Sequence, residues 1–346
     1  MAGIRTSGTC TRTTTTCGSA SLARAPAYEL TLRSSHWSTV ASYLARRTGY
    51  MLLILTISSV VIFYALRSAP GGPSGGGVLN PLASREIRQA YDHRMGLDQP
   101  VYTQYFIYLK HLATGDLGTS LVNGTPITEL LATHARNSLV LGLTALVISY
   151  LIAIPLGVLA AVKRNTWVDQ LAMGGAILGM GIPNFWLALI LVYFFSLRLG
   201  VLPSAGCCDP PQLILPALVL AAEGTAVTVR MTRSSMLEHL HDDFVRALRA
   251  KGLPEWQVVV RHVLRNALIP VISLSGLRLG WLVGYALIVE TIFRWPGVGY
   301  LLVDSVLRRD YPVAQFFSLL LIVFVLLANW LADIGYGLAN PRIRVA

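Results

Sequence analysis

Residues 138–162 read SLVLGLTALVISYLIAIPLGVLAAV and contain no Asp, Glu, Lys or Arg. A transmembrane helix needs about 20 mostly apolar residues to cross about 30 Å of hydrocarbon, and all its backbone polar groups must be bonded within the helix. This stretch meets both requirements. It therefore predicts a membrane-spanning helix and not a strand or helix of a water-soluble domain.

The rest of the chain is similarly apolar. Of its 346 residues, 54% are hydrophobic and only 13% are charged, and the mean hydropathy is +0.57. An average soluble protein carries about 25% charged residues. Five further apolar stretches lie at about 50–66, 171–197, 213–229, 268–292 and 313–338. The sequence thus predicts an all-α, polytopic membrane protein with six transmembrane helices and a long extracytoplasmic loop after the first.

The basic residues orient the chain in the membrane. A net charge of +11 is also seen in nucleic-acid-binding proteins, but membrane proteins concentrate Lys and Arg in short cytoplasmic loops. With the N-terminus inside, the inner segments hold most of the 28 basic residues, whereas the outer loop 198–212 holds a single one. We expect a multi-pass protein of the cell (inner) membrane with both termini in the cytoplasm, in contact with the lipid bilayer and not with nucleic acid.

Two regions divide the chain. Residues 1–45 are rich in Thr, Ser and Arg and contain no apolar run, which predicts a flexible cytoplasmic tail and not a cleavable secretion signal. Residues 46–346 form the transmembrane domain, with an outer loop at about 68–136 and a long cytoplasmic loop at about 230–265. Within the outer loop, Val101, Tyr105, Tyr108, Leu109 and Leu112 recur at helical spacing and predict an amphipathic surface helix. This helix either holds the loop down by packing or has a gating or partner-docking role.

The sequence lacks the motifs of a zinc hydrolase and of a nucleotide-binding loop. It contains no H-E-x-x-H and no Gly-Lys dipeptide, so it has no phosphate-binding loop and is not expected to hydrolyse ATP. All seven His fall outside the six apolar stretches, and we expect no cofactor and no metal site. Cys207 and Cys208 are adjacent in an outer loop. Two interpretations are left open: a disulfide bond to another chain, or an inert pair.

Ionisable residues inside the apolar stretches are few. Each is costly in hydrocarbon and by default lies in a water-lined or paired position. Glu223, Arg278 and Glu290 are therefore candidates for lining a solute path or for structural pairing. For Glu290, a structural bond to neighbouring backbone or to Arg294 is as well supported as a place on the path.

Two glycine patterns predict close helix contacts. Gly276, Gly280 and Gly284 repeat every fourth residue on one face of the fifth stretch, which allows two helix backbones to approach closely. The partner is either another helix of this chain or a second membrane subunit. In the third stretch, a close contact followed by a kink is expected from Gly175, Gly179, Gly181 and Pro183.

The long cytoplasmic loop carries the most specific pattern. Ser235 with Glu238 fits a capping box, and a helical repeat of apolar residues follows it. The cationic positions Arg246, Arg249 and Lys251 lie on other faces, and the helix is expected to end at Gly252. The loop thus predicts a short, basic, two-faced helix that faces the cytoplasm.

Residues 243–253 (DFVRALRAKGL) and 261–270 (RHVLRNALIP) resemble the coupling-loop signature of ABC importer permeases, most closely the dipeptide, oligopeptide and nickel group. The match departs from the general pattern, because Arg246-Ala247-Leu248 replaces Glu-Ala-Ala and residues 262–265 lack the usual Pro. Further segments resemble this group in the same order: GLDQP (96–100), GDLGTS (115–120), VETIF (289–293), WPGVG (295–299), RDYP (309–312), DIGY (333–336) and NPRIR (340–344). Their order and the long outer loop resemble the first of the two permeases that operons of this group encode.

The resemblance implies a type I ABC importer permease fold and a set of partners. These would be a second permease subunit, separate ABC ATPase subunits and an extracytoplasmic solute-binding protein. The helix at 244–252 would insert into a groove of the ATPase, with Phe244, Ala247 and Leu248 as its packed face and Arg246, Arg249 and Lys251 as its polar contacts. The full set of implied coupling residues is Asp243, Phe244, Arg246, Ala247, Leu248, Arg249, Ala250, Lys251 and Gly252.

The cargo implied by the resemblance is a di- or oligopeptide. A permease for nickel chelates or another small solute is the alternative, because the coupling motif concerns the ATPase and not the cargo. A gradient-driven secondary transporter is a rival from another class, and it would place acidic residues near mid-membrane, where only Glu223 lies. An intramembrane enzyme is disfavoured, because the apolar stretches contain no cluster of acid, base or nucleophile.

Overall fold

The computed structural model describes residues 28–68, 93 and 98–339, and within them the side chains of 45–68, 93, 98–273, 280 and 282–331. Apart from one isolated bridge between Thr119 and Pro126, the regular structure in this part is helical. The helices are α1 (Tyr28–Arg67), α2 (Val101–Thr114), α3 (Ile127–Val162), α4 (Trp167–Gly181), α5 (Asn184–Leu191), α6 (Pro210–His239), α7 (Asp243–Ala250), α8 (Glu255–Gln257), α9 (Leu264–Phe293), α10 (Val298–Leu307) and α11 (Tyr311–Ala339). π-Helical turns follow α5 (Val192–Arg198) and join α8 to α9 (Val258–Val263).

Long apolar helices account for the predicted spans. Within the part of the chain whose side chains are described, four are long and apolar enough to cross a membrane: Ala45–Arg67, Ile127–Val162, Pro210–His239 and Tyr311–Leu331. Two bent pairs complete six spans if each pair counts as one: Trp167–Gly181 with Asn184–Arg198, and Leu282–Phe293 with Val298–Leu307. The prediction of an all-α, polytopic membrane fold is confirmed by these helices and by the structural comparison reported below.

Helix α1 begins well before the first predicted span. The chain divides into two compact units, Met1–Ala45 and Arg46–Ala346. The segment predicted to be a flexible tail contains helix from Tyr28 onward, whereas residues 1–27 lie outside the described part of the chain. Composition alone did not indicate this helical portion.

The bend between α4 and α5 has a local cause. Pro183 has no backbone N–H and restricts the residue before it to extended conformations. Ile182 accordingly has φ −85° and ψ 119°, and the two helix axes differ by 105°. Just before the bend, a Cβ at Gly179 would lie 3.2 Å from Cβ of Ala226 on α6, so glycine allows close packing there. The predicted contact therefore occurs at Gly179 but not at Gly175, where a Cβ would meet nothing within 4 Å, and the predicted kink occurs at Pro183.

Helices α3 and α6 form the centre of the transmembrane unit. Gly157 permits a close approach of the two helices, because a Cβ there would lie 2.6 Å from Cβ of Thr232. Buried side chains such as Leu141 and Leu215 fill the outer half of this contact. Helix α9 and the α4–α5 pair pack around it, and α11 packs against α9 and α10.

The predicted amphipathic helix of the outer loop is α2, and it packs on the outer end of α1. The ring of Phe63 lies 5.1 Å from that of Tyr105 and 5.9 Å from that of Tyr108. Arg67 covers the same Phe63 ring at 3.5 Å, and its Nε donates to Gln104 at 2.8 Å. These contacts give α2 a packing role, and the alternative of a gate or docking site stays untested.

Cys207 and Cys208 form a disulfide with each other. This differs from both alternatives that the sequence left open. Cys208 has φ +83°, a conformation that L residues rarely adopt, and the adjacent Asp209 caps the N-terminus of α6 with Gln212 as its capping-box partner. The disulfide therefore lies directly at the outer end of α6.

Candidate ATPase-coupling site

Helix α7 begins and ends within the long cytoplasmic loop. Asp242, with φ −65° and ψ 152°, is its N-terminal boundary residue, and Gly252 with φ +77° ends it in the left-handed conformation. The amide of Gly252 donates to the carbonyl of Arg249 at 3.0 Å. The predicted capping box is wrong, because Ser235 and Glu238 lie inside the last two turns of α6. Uninterrupted helical spacing hid the break at 240–242.

The inner face of α7 packs on this chain's own helix ends. Val245 is fully buried, and Phe244 and Leu248 contact the same apolar cluster. The cluster also contains Ala161 of α3, Met236 of α6, Val258, Val259 and Val263 of the π-helical turn, and Ala267 of α9. The helix is thus fixed to the cytoplasmic ends of three spans.

This packing revises the predicted division of roles. Phe244 and Leu248 pack partly against this chain's own cluster, so only part of each side chain is left exposed to a partner. Ala247 is exposed instead, on the outer side of the helix. Sequence reasoning missed Val245, the most buried residue of α7, although its spacing of three from Leu248 was a usable signal.

The outward surface of α7 is small and cationic. Its exposed residues are Asp243, Arg246, Ala247, Arg249, Ala250, Lys251 and Gly252, which we call the outward face. Trp256, 65% exposed, lies just beyond it in the chain. This surface combines alanines, over which another protein can approach closely, with cations suited to acidic or carbonyl groups on that protein.

One ion pair closes the end of the outward face. The guanidinium of Arg249 donates to both carboxylate oxygens of Glu255, at 2.6 and 3.1 Å. The hydrogen bonds from Arg249 lower the pKa of Glu255, and the same bonds raise the pKa of Arg249. Arg246 contacts Asp243 at 3.3 Å with both side chains largely exposed. Lys251 forms no ion pair among the described residues, so it is available to a partner.

Glu290 occupies a structural position at the corner between α9 and α10. Its carboxyl group is 1% exposed and accepts hydrogen bonds from Ser138 Oγ at 2.6 Å, the amide of Gly299 at 2.7 Å and the amide of Tyr300 at 3.1 Å. It thereby caps the N-terminus of α10. A side chain at Gly297 would overlap this carboxyl group. Of the two structural partners considered, the neighbouring backbone holds Glu290, and Arg294 does not.

The other intramembrane candidates are distributed differently. Glu223 of α6 is half-buried and accepts a hydrogen bond of 3.3 Å from the hydroxyl of Tyr285 on α9. A Cβ at Gly280 would lie 3.1 Å from Asn329 of α11, whereas one at Gly284 would meet nothing within 4 Å. Gly276 and Arg278 lie on α9, but their side-chain surroundings lie outside the described residues. Their predicted roles therefore stay predictions.

No metal centre is present among the residues that the structure describes. No group of three or more His, Cys, Asp or Glu side chains there is arranged to hold an ion. Glu223, Glu290 and the coupling loop are separate features of the fold, and the structure does not bring them into one site.

Family models match both parts of the transmembrane unit. The model described as "Binding-protein-dependent transport system inner membrane component" matches residues 153–345, and its companion for the N-terminal part of such membrane components matches 40–129. The chain belongs to this permease family. It is therefore the multi-pass, inner-membrane permease of an ABC importer, and ATP hydrolysis belongs to other subunits of such systems.

Relatives of this permease cover nearly all of it. It is 39% identical over 303 residues to the glutathione transport system permease protein GsiC of Salmonella typhimurium, covering 88% of this chain and 99% of the relative. The GsiC protein of Escherichia coli K12 matches equally well. Among solved structures, the MetNI methionine ABC transporter in an inward-facing form matches with a TM-score of 0.52 and 21% identity, over 62% of this permease and 97% of that chain. This last likeness shows the fold alone.

Membership in the family also confirms the resemblance read from the coupling loop. Binding-protein-dependent importers work with an ATPase and a solute-binding protein, and both are partners of this permease. The residues that contact each partner, and the identity of the cargo, are proposals treated next.

Proposed function

We propose that this permease imports di- or oligopeptides and that the outward face of α7 is the surface on which its ATPase subunit docks. The observation that carries the proposal is the placement of α7, a helix with a small, cationic exposed side and a buried side fixed to three spans. A second permease subunit completes the path, and an extracytoplasmic solute-binding protein delivers the peptide.

The apolar cluster on which α7 packs links the ATPase mechanically to the membrane-spanning helices. Val245 lies in a cluster to which α3, α6 and α9 all contribute. Close-packed protein interiors have low compressibility and transmit strain. A push on the outward face by the closing ATPases therefore moves the cytoplasmic ends of these spans together, and alternating access results from their rigid-body tilt.

Peptide cargo is supported by the relatives. GsiC is named for the transport of glutathione, which is a tripeptide. Among the residues whose side chains the structure describes, Glu223 is the one acidic group that lies half-buried in mid-span, so few fixed charges are available there to select a side chain of the cargo. A site with few charged contacts suits a cargo whose side chains vary but whose backbone is constant. The nickel-chelate alternative shares the ATPase coupling and differs in cargo alone.

Alanine-to-glutamate exchanges on the exposed side of α7 test the docking surface without disturbing the buried cluster around Val245. Ala247→Glu and Ala250→Glu each place a long side chain on the outward face, where it would block close approach and pair its carboxylate with Lys251 or Arg246, a cation that the proposal assigns to the ATPase. Such a change costs an interface about 2 kcal/mol or more, which is about 30-fold in affinity. The matched control is Ala113→Glu, the same exchange at an exposed alanine of α2 on the opposite side of the membrane.

The assay is ATP-dependent uptake of labelled peptide into vesicles that hold the complete importer, together with co-purification of the ATPase subunit. We expect both α7 variants to lose uptake and ATPase binding, and Ala113→Glu to retain them. Uptake that persists without ATP, or in both α7 variants, would remove the coupling proposal. Uptake of labelled nickel chelate but of no peptide would leave the coupling intact and replace the peptide cargo.

A further inference from the structure

An apolar groove runs along the transmembrane surface between α3, α4 and α6. It has a volume of about 600 Å³, and apart from the Thr225 hydroxyl and the Trp167 indole N–H its lining side chains are apolar. Its lining along α4 extends from Trp167, at the cytoplasmic end of that helix, to Gly179. Twelve residues of rise correspond to about 18 Å, close to the roughly 15 Å depth of one bilayer leaflet. The groove is thus about as long as an acyl chain of the cytoplasmic leaflet.

Two cations lie at the cytoplasmic mouth of this groove. Lys163 and Arg164 directly follow α3, both are exposed, and neither forms an ion pair among the described residues. Trp167, which lines the mouth, is 72% exposed, as is typical of aromatic side chains at the level of lipid headgroups. Cationic and aromatic residues at the end of an apolar channel match the two parts of an anionic phospholipid.

The nearby acidic group does not cancel this charge. Asp169, in the first turn of α4, is 4% exposed. Its carboxylate accepts hydrogen bonds from Nε and Nη2 of Arg233, at 2.5 and 2.7 Å. The amide of Asn165 donates to the same carboxylate at 2.9 Å. Asp169 and Arg233 therefore neutralise one another, and the positive charge of Lys163 and Arg164 stays open to an anion, although Arg164 also interacts with Asp169 through space.

The groove faces away from the side of α6 that carries Glu223. The six groove-lining residues of α6 between Leu218 and Val229 point, on average, about 130° from Glu223 when each residue advances 100° around the helix. Glu223 faces Tyr285 of α9. The Glu223–Tyr285 contact and the groove thus lie on different sides of α6. This is expected if the Glu223 side faces protein and the groove faces lipid.

We propose that this groove binds an anionic glycerophospholipid of the cytoplasmic leaflet, with one acyl chain along α4 and its phosphate on Lys163 and Arg164. The proposal concerns the lipid environment of the permease and is independent of the cargo. Each cation near an anionic headgroup contributes about five-fold in affinity. Because the groove also contacts α6, whose end leads into α7, the bound lipid packs against a helix of the coupling path.

Quenching of Trp167 fluorescence measures the site directly. The complete importer is placed in a series of nanodiscs that contain increasing fractions of phosphatidylglycerol or phosphatidylcholine with identical brominated acyl chains. The contribution of Trp167 is the difference between wild type and Trp167→Phe. We expect brominated phosphatidylglycerol to quench this contribution at concentrations at least about five-fold lower than brominated phosphatidylcholine, and Lys163→Gln with Arg164→Gln to abolish the preference.

Two adjacent glycines provide a matched pair of variants. Added side chains at Gly174 and Gly175 would both meet nothing within 4 Å at Cβ, but only Gly175 lines the groove. Gly175→Leu should therefore reduce quenching by the acyl chain, and Gly174→Leu should not. Equal quenching by the two lipids in wild type would reduce the groove to ordinary bilayer contact and overturn the proposal. No quenching by either would also overturn it, because a protein subunit then covers the groove.

Discussion

Removal of the Glu290 side chain tests whether this carboxyl group holds the outer corner of the fold together. In Glu290→Ala, the buried amide of Gly299, the part-buried amide of Tyr300 and the hydroxyl of Ser138 lose their acceptor. A buried donor left without a partner costs about 1–3 kcal/mol. The serine hydroxyl can rotate toward another acceptor, so two amides carry the cost, and we expect a loss of about 4 kcal/mol in the free energy of unfolding.

Thermal unfolding of the purified permease in detergent measures this loss. The unfolding entropy is about 2.1 cal/mol/K per residue, so a chain of 346 residues shifts by about 1.4 °C per kcal/mol and the midpoint should fall by about 6 °C. Glu290→Gln keeps one acceptor oxygen and should lose about half as much. The matched control is Glu223→Ala, which removes a single hydrogen bond of 3.3 Å and should shift the midpoint by about 2 °C or less. Equal shifts for Glu290→Ala and Glu223→Ala would refute the structural role of Glu290.

Three further changes follow from the loops. Because Arg249 holds the pKa of Glu255 below its ordinary value of 4.5, their pair stabilises the loop above that pH and loses its effect as the pH falls through the folded-state value. Hydrogen exchange of the loop amides should show Glu255→Gln less protected by about 0.5 kcal/mol at neutral pH, and equal to wild type in acid. Gly252→Ala meets no steric obstacle but places a side chain at φ +77°, so it should destabilise the end of α7 by about 1 kcal/mol, as seen by faster exchange there; unchanged exchange would contradict the strain. Alkylation of the unfolded chain without reductant should leave Cys207 and Cys208 unmodified within one peptide, and a crosslinked dimer on a non-reducing gel would show that they pair between chains.

Features set by local sequence could be predicted. The spans follow from apolar length, and the break at Pro183 follows from a missing N–H and the restriction it imposes on Ile182. The end of α7 follows from Gly252 in the left-handed conformation. In each case the deciding interaction lies within about one helical turn. The coupling segment was found from its resemblance to the family signature, whereas the predicted capping box at Ser235 and Glu238 was wrong.

Features set by contacts distant in sequence could not be predicted. Ser138 and Glu290 are 152 positions apart, and nothing in the sequence around either identifies the other as its partner. The inward orientation of Phe244 and Leu248 likewise depends on helix ends contributed by three other segments. An apolar face on a cytoplasmic helix can be covered by its own chain or by a partner, and periodicity is the same in both cases.

The length of α3 affects how the bilayer meets the protein. Its 36 residues span about 54 Å, and even at a tilt of 40° it covers about 41 Å along the membrane normal, whereas the hydrocarbon is about 30 Å thick. Lys163 marks the cytoplasmic end, so the excess of about 10 Å stands on the outer side. The first three turns there carry Glu129, His134 and Arg136, which are compatible with water and not with acyl chains. The outer end of α3 therefore extends into water beyond the lipid. A molecule that arrives from outside reaches this part of the protein before it touches the membrane.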